Sequence, residues 1–160
     1  MKIAILNDTH CGIRNSSEIF LKNSEDFYNE VFFPTCEKNN IKQIIHLGDY
    51  YDHRKFVNFK ALNHNRTTFL DQLRKRGMSM DIIPGNHDTF YKNTNELNSL
   101  KECLGHYMNE VHIIMEPTVM HYDSLKIGLV PWICHDNYEL CMNFIRDCKS
   151  SGVDGLIIVD

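Results

Sequence analysis

Ile82-Ile83-Pro84-Gly85-Asn86-His87-Asp88 is the stretch around which the chain is arranged. Two β-branched apolar residues running into Pro-Gly read as the end of a buried strand that breaks sharply into a loop. The loop then delivers an amide, an imidazole and a carboxylate together at the strand's C-terminal edge. Their chemistries differ. Asn86 offers a neutral oxygen to a metal, His87 can donate a proton near neutral pH, and Asp88 can fix the imidazole's orientation. A Pro-Gly-Asn turn with an idle histidine would look the same in isolation. The reading therefore depends on whether other strand ends are built alike.

Two of them are. Residues 2–7 read as a mostly apolar first strand that stops at Asp8-Thr9-His10-Cys11-Gly12. In extended chain, residues i and i+2 face the same side, so Asp8 and His10 could grip one ion. Alone, the pair also fits a turn aspartate beside a surface histidine. Residues 41–47 form a second apolar strand that runs into Gly48-Asp49-Tyr50-Tyr51-Asp52-His53-Arg54-Lys55. Again the acid sits just past the strand, and Gly48 lets the backbone come close to an occupant of the site.

Helical spacing between these strands predicts a parallel sheet. Residues 17–37 carry apolar side chains at 19, 20, 27, 31 and 32, and residues 59–76 form a second amphipathic helix stopped by Gly77. Strand, helix, strand, helix, strand is the pattern of βαβ units, whose right-handed crossovers bring all three loops to one sheet edge. Asp8, His10, Asp49, Asn86 and His87 are thus expected to converge. Beyond them the pattern predicts a helix over 95–107, short strands over 111–115, 119–123 and 125–130 in an antiparallel second sheet, a helix over 138–149 and a strand over 155–159.

Composition bounds the rest. With 160 residues, 42% hydrophobic and 24% charged, the chain fits one soluble domain over 1–160. No apolar run approaches a membrane span and the first residues read as a strand, so the expectation is a cytoplasmic protein with no membrane partner. Six cysteines without a C-x-x-C pair read as reduced thiols, with Cys141 and Cys148 packed on one helix face. A net charge of −4 argues neither for nor against nucleic acid. The basic helix end Arg74-Lys75-Arg76 reads as solvated, whereas Arg54 and Lys55, beside the central loop, are phosphate-contact candidates. His46, His64, His106, His112, His121 and His135 lack a partner at ligand spacing and read as structural or surface residues, while His53 stays open.

Carboxylates, imidazoles and an amide without a thiolate favour Mn²⁺ or Fe²⁺, with Zn²⁺ possible. Asp49 is the candidate to bridge two ions, because its strand should lie between the other two. Two ions about 3.5 to 4 Å apart can clamp the attacking and leaving oxygens of a phosphate ester. Asp8-Thr9-His10, Gly48-Asp49 with Asp52, and Gly85-Asn86-His87-Asp88 resemble, in order and placement, the first three motifs of the calcineurin-like metallophosphoesterases. Gly48-Asp49-Tyr50-Tyr51-Asp52 followed by Arg54-Lys55, then Tyr91-Lys92-Asn93 and Leu129-Val130-Pro131-Trp132, resemble more closely the SbcD-type nuclease subunits of double-strand-break processing complexes, those of T-even phages among them.

This resemblance implies an α/β sandwich of two mixed sheets flanked by helices. Asp8 and His10 would hold the first ion, Asp49 would bridge, and Asn86 would hold the second. His87 would protonate or stabilise the leaving oxygen, with Asp88 supporting it. The activity implied is a Mn²⁺-dependent DNA exonuclease and endonuclease, homodimeric and paired with a Rad50/SbcC-like coiled-coil ATPase subunit, in the host cytoplasm if phage-encoded. The family completes its site with a later histidine and a Gly-His-x-His motif, which residues 89–160 do not supply. The expectation is therefore a chain truncated at its C-terminus. A phosphatase acting on phosphoproteins or small esters, or a scaffold without metals, would share the same core.

Overall fold

The computed structural model describes residues 1–159; Asp160, expected to end the last strand, lies outside them. Strands β1 (Ile3–Leu6), β2 (Gln43–His46), β3 (Ser79–Ile82) and β4 (Val111–Ile113) form a parallel sheet in that order. Leu6, His46 and Ile82 lie abreast in the register. The first three strands therefore end level, and the loops that follow them leave from one edge, with β2 in the middle as expected.

The connections are the helices that the spacing predicts. A single turn, α1 (Ile13–Ser16), contains left-handed Arg14 and Asn15. It is followed by α2 (Glu18–Asp26), a π-helical stretch Phe27–Phe32, and α3 (Phe33–Lys38). Pro34 has no N–H and its ring crowds the preceding turn of an α-helix. The wider turn, with Phe33 N–H on the Tyr28 carbonyl, comes one residue before it. The second crossover is α4 (Phe59–Asn65), a π-helical stretch Arg66–Leu70 and α5 (Asp71–Arg76), ended by left-handed Gly77 at φ 58°. Arg74 and Arg76 pair with Glu110 and Glu37 instead of facing solvent alone.

The pleat sorts the sheet's side chains into two cores. Ile44, Met80 and Ile82 pack with Phe33, Phe69 and Leu73 under the helices. Ile45 and Ile83 pack with Tyr122, Ile127 and Leu129 against a second sheet. That sheet holds β5 (Thr118–Tyr122), antiparallel to β6 (Leu125–Val130), with β7 (Gly155–Ile158) parallel to β6. Buried, free Cys141 and Cys148 lie on α7 (Tyr138–Cys148), the helix beside β6: a Cβ built at Gly128 would come within 3.3 Å of Phe144 and Cys148 Sγ.

Two expectations need correction. The strand expected over 111–115 does not join the antiparallel sheet but extends the first sheet beside β3. Local apolar pattern marks a strand without naming its partner, and the long connection from β3 permits parallel pairing. The helix expected from residue 95 begins later, as α6 (Ser99–Leu104). Its N-cap is Asn98, whose side chain accepts the Lys101 N–H, while Asn95 donates to the Trp132 carbonyl. No helix among the described residues is long and apolar enough to cross a membrane.

Candidate metal centre

Past the sheet edge, the pairing of β1 with β2 continues between their loops. His10 N–H donates to the Asp49 carbonyl (3.0 Å), Cys11 N–H to the Tyr50 carbonyl (2.7 Å), and Asp52 N–H to the Cys11 carbonyl (3.2 Å). This ladder draws Asp8 and His10 alongside Asp49. One ligand atom from each of the three lies within 4.8 Å of the others. His10 Nε2 stands 3.8 Å from Asp8 Oδ1 and 3.9 Å from Asp49 Oδ2, and the Asp52 carboxylate lies 3.5 Å from His10 Nδ1. Asp8, His10 and Asp49 all adopt left-handed backbone, with φ of 49°, 41° and 51°. Such conformations cost a non-glycine residue roughly 1–3 kcal/mol and gather where function requires them.

The loop after β3 is fastened to the same place. His87 N–H donates to Asp49 Oδ1 (2.8 Å), and His87 Nδ1 bonds the Asp52 carbonyl (2.8 Å). A carbonyl only accepts, so Nδ1 carries the hydrogen and Nε2 is the ring atom left for chemistry. The His10 and His87 rings meet edge to face with centroids 5.0 Å apart. Gly48 and Gly85 let these loops touch. A Cβ on Gly48, at φ 90°, would lie 2.6 Å from Gly85 Cα. The close approach at Gly48 is thus to the neighbouring loop.

The chain matches the family model described as calcineurin-like phosphoesterase over residues 1–156. The chain belongs to that family. It is 31% identical over 151 residues to exonuclease subunit 1 of Enterobacteria phage T4, a match covering 94% of this chain and 44% of that protein. The chain thus spans less than half the length of this relative. Among solved structures it is similar to Pseudomonas putida nuclease MPE, with a TM-score of 0.46 and 18% identity, covering 80% of this chain and 52% of that one.

Calcineurin-like phosphoesterases bind divalent metal ions, and the Asp8, His10 and Asp49 donors are compatible with one. Convergent carboxylates repel each other until a cation sits between them. The nearby thiol is no competitor. Cys11 Sγ bonds the Ala61 carbonyl, and burial pushes the thiol up to about 12.

Asn86 and Asp88 both bond to neighbouring loops. Asn86 Oδ1 accepts a hydrogen bond from Arg54 Nη2 (3.2 Å), so a cation there must compete with a guanidinium. Asp88 does not orient the His87 ring; the Asp52 carbonyl does so. Instead, the buried Asp88 carboxylate ties two loops of the chain together. Its Oδ1 accepts from the Tyr50 and Tyr51 N–H groups (2.9 and 3.3 Å), and its Oδ2 accepts from Gly85 N–H (2.9 Å). Burial pushes Asp88 up to about 6, against these backbone donors that pull it down.

Two residues to which the sequence reading gave no part in the site support it. His46 is buried beneath the loops, with Nδ1 accepting Gly48 N–H (3.2 Å) and Nε2 3.0 Å from Thr9 Oγ1. Its signal was present: it lies two residues after Ile44, on the core side of a buried strand. Trp132 is the other. Its backbone N–H donates to the Pro84 carbonyl (2.9 Å), and its ring centroid lies 5.4 Å from the Arg54 guanidinium. No local pattern places the end of β6 there.

Proposed function

We propose that this phosphoesterase hydrolyses DNA phosphodiesters with two divalent ions, Mn²⁺ being favoured and Fe²⁺ or Zn²⁺ the alternatives by donor type. The observation that carries the reading is the loop ladder that brings Asp8, His10 and Asp49 within 4.8 Å, with the His87 loop bonded to Asp49 Oδ1. In this reading Asp8 and His10 would hold one ion, Asn86 would hold the other with its oxygen released by Arg54, and Asp49 would serve both. Bound ions in such a site offset the charge on phosphate oxygens and lower the pKa of an attacking water.

The remaining steps belong to the chain. The Asp52 carbonyl holds His87 Nδ1–H, so a ring that also carries a proton on Nε2 would give that second proton to the departing oxygen and be left neutral. Asp88 keeps that loop in register with Asp49 through the backbone of Tyr50, Tyr51 and Gly85. Arg54 and Lys55 supply phosphate contacts that position DNA without reading its sequence. The phage relative is by name an exonuclease subunit, which supports a nucleic acid as substrate. The same reading carries a Rad50/SbcC-like coiled-coil ATPase partner, a homodimer and a cytoplasmic location, the host's if the protein is phage-encoded.

Nucleotide release from linear duplex and single-stranded DNA with Mn²⁺, measured beside cleavage of a simple aryl phosphate, tests the proposal. Cleavage of the aryl ester without nucleotide release would overturn DNA as the substrate. His87→Ala is expected to lower turnover by about 10²- to 10⁴-fold, the usual contribution of one general acid. Its Mn²⁺-induced thermal stabilisation should persist, and equal loss of both would refute the assigned role.

A further inference from the structure

Beside the metal centre, a cleft of about 250 Å³ opens between the 53–57 loop and the 90–99 segment. Drug-sized ligands occupy roughly 300 to 1,000 Å³, so this space suits a smaller group. Its walls combine two chemistries. Phe56, Phe90 and Leu97 are apolar, and Phe56, 58% exposed, stacks on His53 with centroids 4.4 Å apart and ring planes at 24°. Arg54 and Lys55 add cations, with Lys55 Nζ 5.8 Å from the Phe90 centroid. Arg54 Nη1 is buried and has no hydrogen-bond partner among the described residues. Glu102 contributes an acceptor.

We propose that this cleft holds one unpaired nucleobase of a DNA strand, with the attached phosphate at Arg54 and Lys55. The inference deepens the DNA reading above and rests on it. A planar π-system fits beside Phe56 and Phe90, because stacking on aromatic side chains accepts any base. The phosphate requires a cation, and Arg54 offers a guanidinium one of whose nitrogens is unpaired. Glu102 disfavours a phosphate on its own side and accepts a base N–H instead. An apolar peptide would leave the Arg54 donor unmet. Because the base must leave its stack to enter, frayed ends and single strands should be preferred over blunt duplex.

The test uses a short single-stranded oligonucleotide carrying 2-aminopurine, whose fluorescence falls on stacking. It is titrated in chelator so that binding is read apart from hydrolysis. The chain should quench the probe, and Phe56→Ala should weaken the quenching interaction about tenfold, the size of losing one base–aromatic stack. Leu97→Trp, which fills the cleft from the other wall, should weaken it similarly, and thermal melts check that both variants fold. No quenching, or quenching unchanged in both variants, would overturn the cleft. If DNA is nonetheless hydrolysed with Mn²⁺, the DNA reading survives that failure. Quenching that responds to both variants without any hydrolysis would support the cleft and remove the catalytic reading.

Discussion

His46 holds its hydrogen bonds only as a neutral ring. Its Nδ1 accepts from Gly48 N–H, so a second ring proton would set donor against donor. Burial pulls its pKa down to about 3 from 6.5. Between those values the unfolded chain binds a proton that the folded chain refuses, so stability is complete above pH 6.5 and falls as the pH drops towards 3. Each unit in that window corresponds to about 1.4 kcal/mol. Between pH 6.5 and 4.5 this one residue should therefore account for roughly 2 to 3 kcal/mol of lost stability. His46→Gln keeps an acceptor and a donor but does not titrate. Urea unfolding at several pH values should show a flatter dependence in the variant than in the parent, and equal slopes would remove His46 as the cause. The residue was readable as buried from its place in the strand. Its hydrogen bond to Thr9 was not, because that contact exists only once β1 lies beside β2.

Loops and strands show the same division between local and distant information. The strand ends at Asp8, Asp49 and Asn86 were legible because apolar runs stop there, and the level register of Leu6, His46 and Ile82 turns that pattern into convergence. Membership of β4 in the first sheet and the later start of α6 were not. One depends on hydrogen bonds to β3, the other on which of two asparagines caps the helix. The contact between the 48–49 and 85–88 loops is likewise invisible locally, yet it makes a sharp prediction. Gly48→Ala incurs both left-handed strain and a collision with Gly85, together about 2 to 4 kcal/mol. Gly77 is also left-handed, but a Cβ there meets nothing within 4 Å, so Gly77→Ala should cost only about 1 kcal/mol. Chemical denaturation compares the two directly, and equal costs would mean that the loop contact is looser than the structure has it.

At the scale of the molecule, two cores sharing one sheet hold three loops level, and the site exists only where those loops meet. Asp8 and Asp49 bring carboxylate oxygens within 4.8 Å of each other, and unfolding separates these like charges. A divalent ion that binds the gathered set and not the unfolded chain should therefore stabilise the whole fold. At a hundredfold excess over its dissociation constant the gain is about 2.7 kcal/mol. For a chain of this size that corresponds to a rise of about 5 to 11 °C in Tm. Arg54 on Asn86 Oδ1 and a first position with three close donors among the described residues predict weak binding, so the titration should extend to millimolar Mn²⁺. The rise should be reversed by chelator, absent with a monovalent salt at matched ionic strength, and strongly reduced in Asp49→Asn. That substitution also relieves repulsion, so its metal-free Tm should stand at or above the parent's even as its response to Mn²⁺ is lost. A parent Tm indifferent to Mn²⁺, with Asp49→Asn no different, would mean that the three left-handed residues gather for a reason other than a cation.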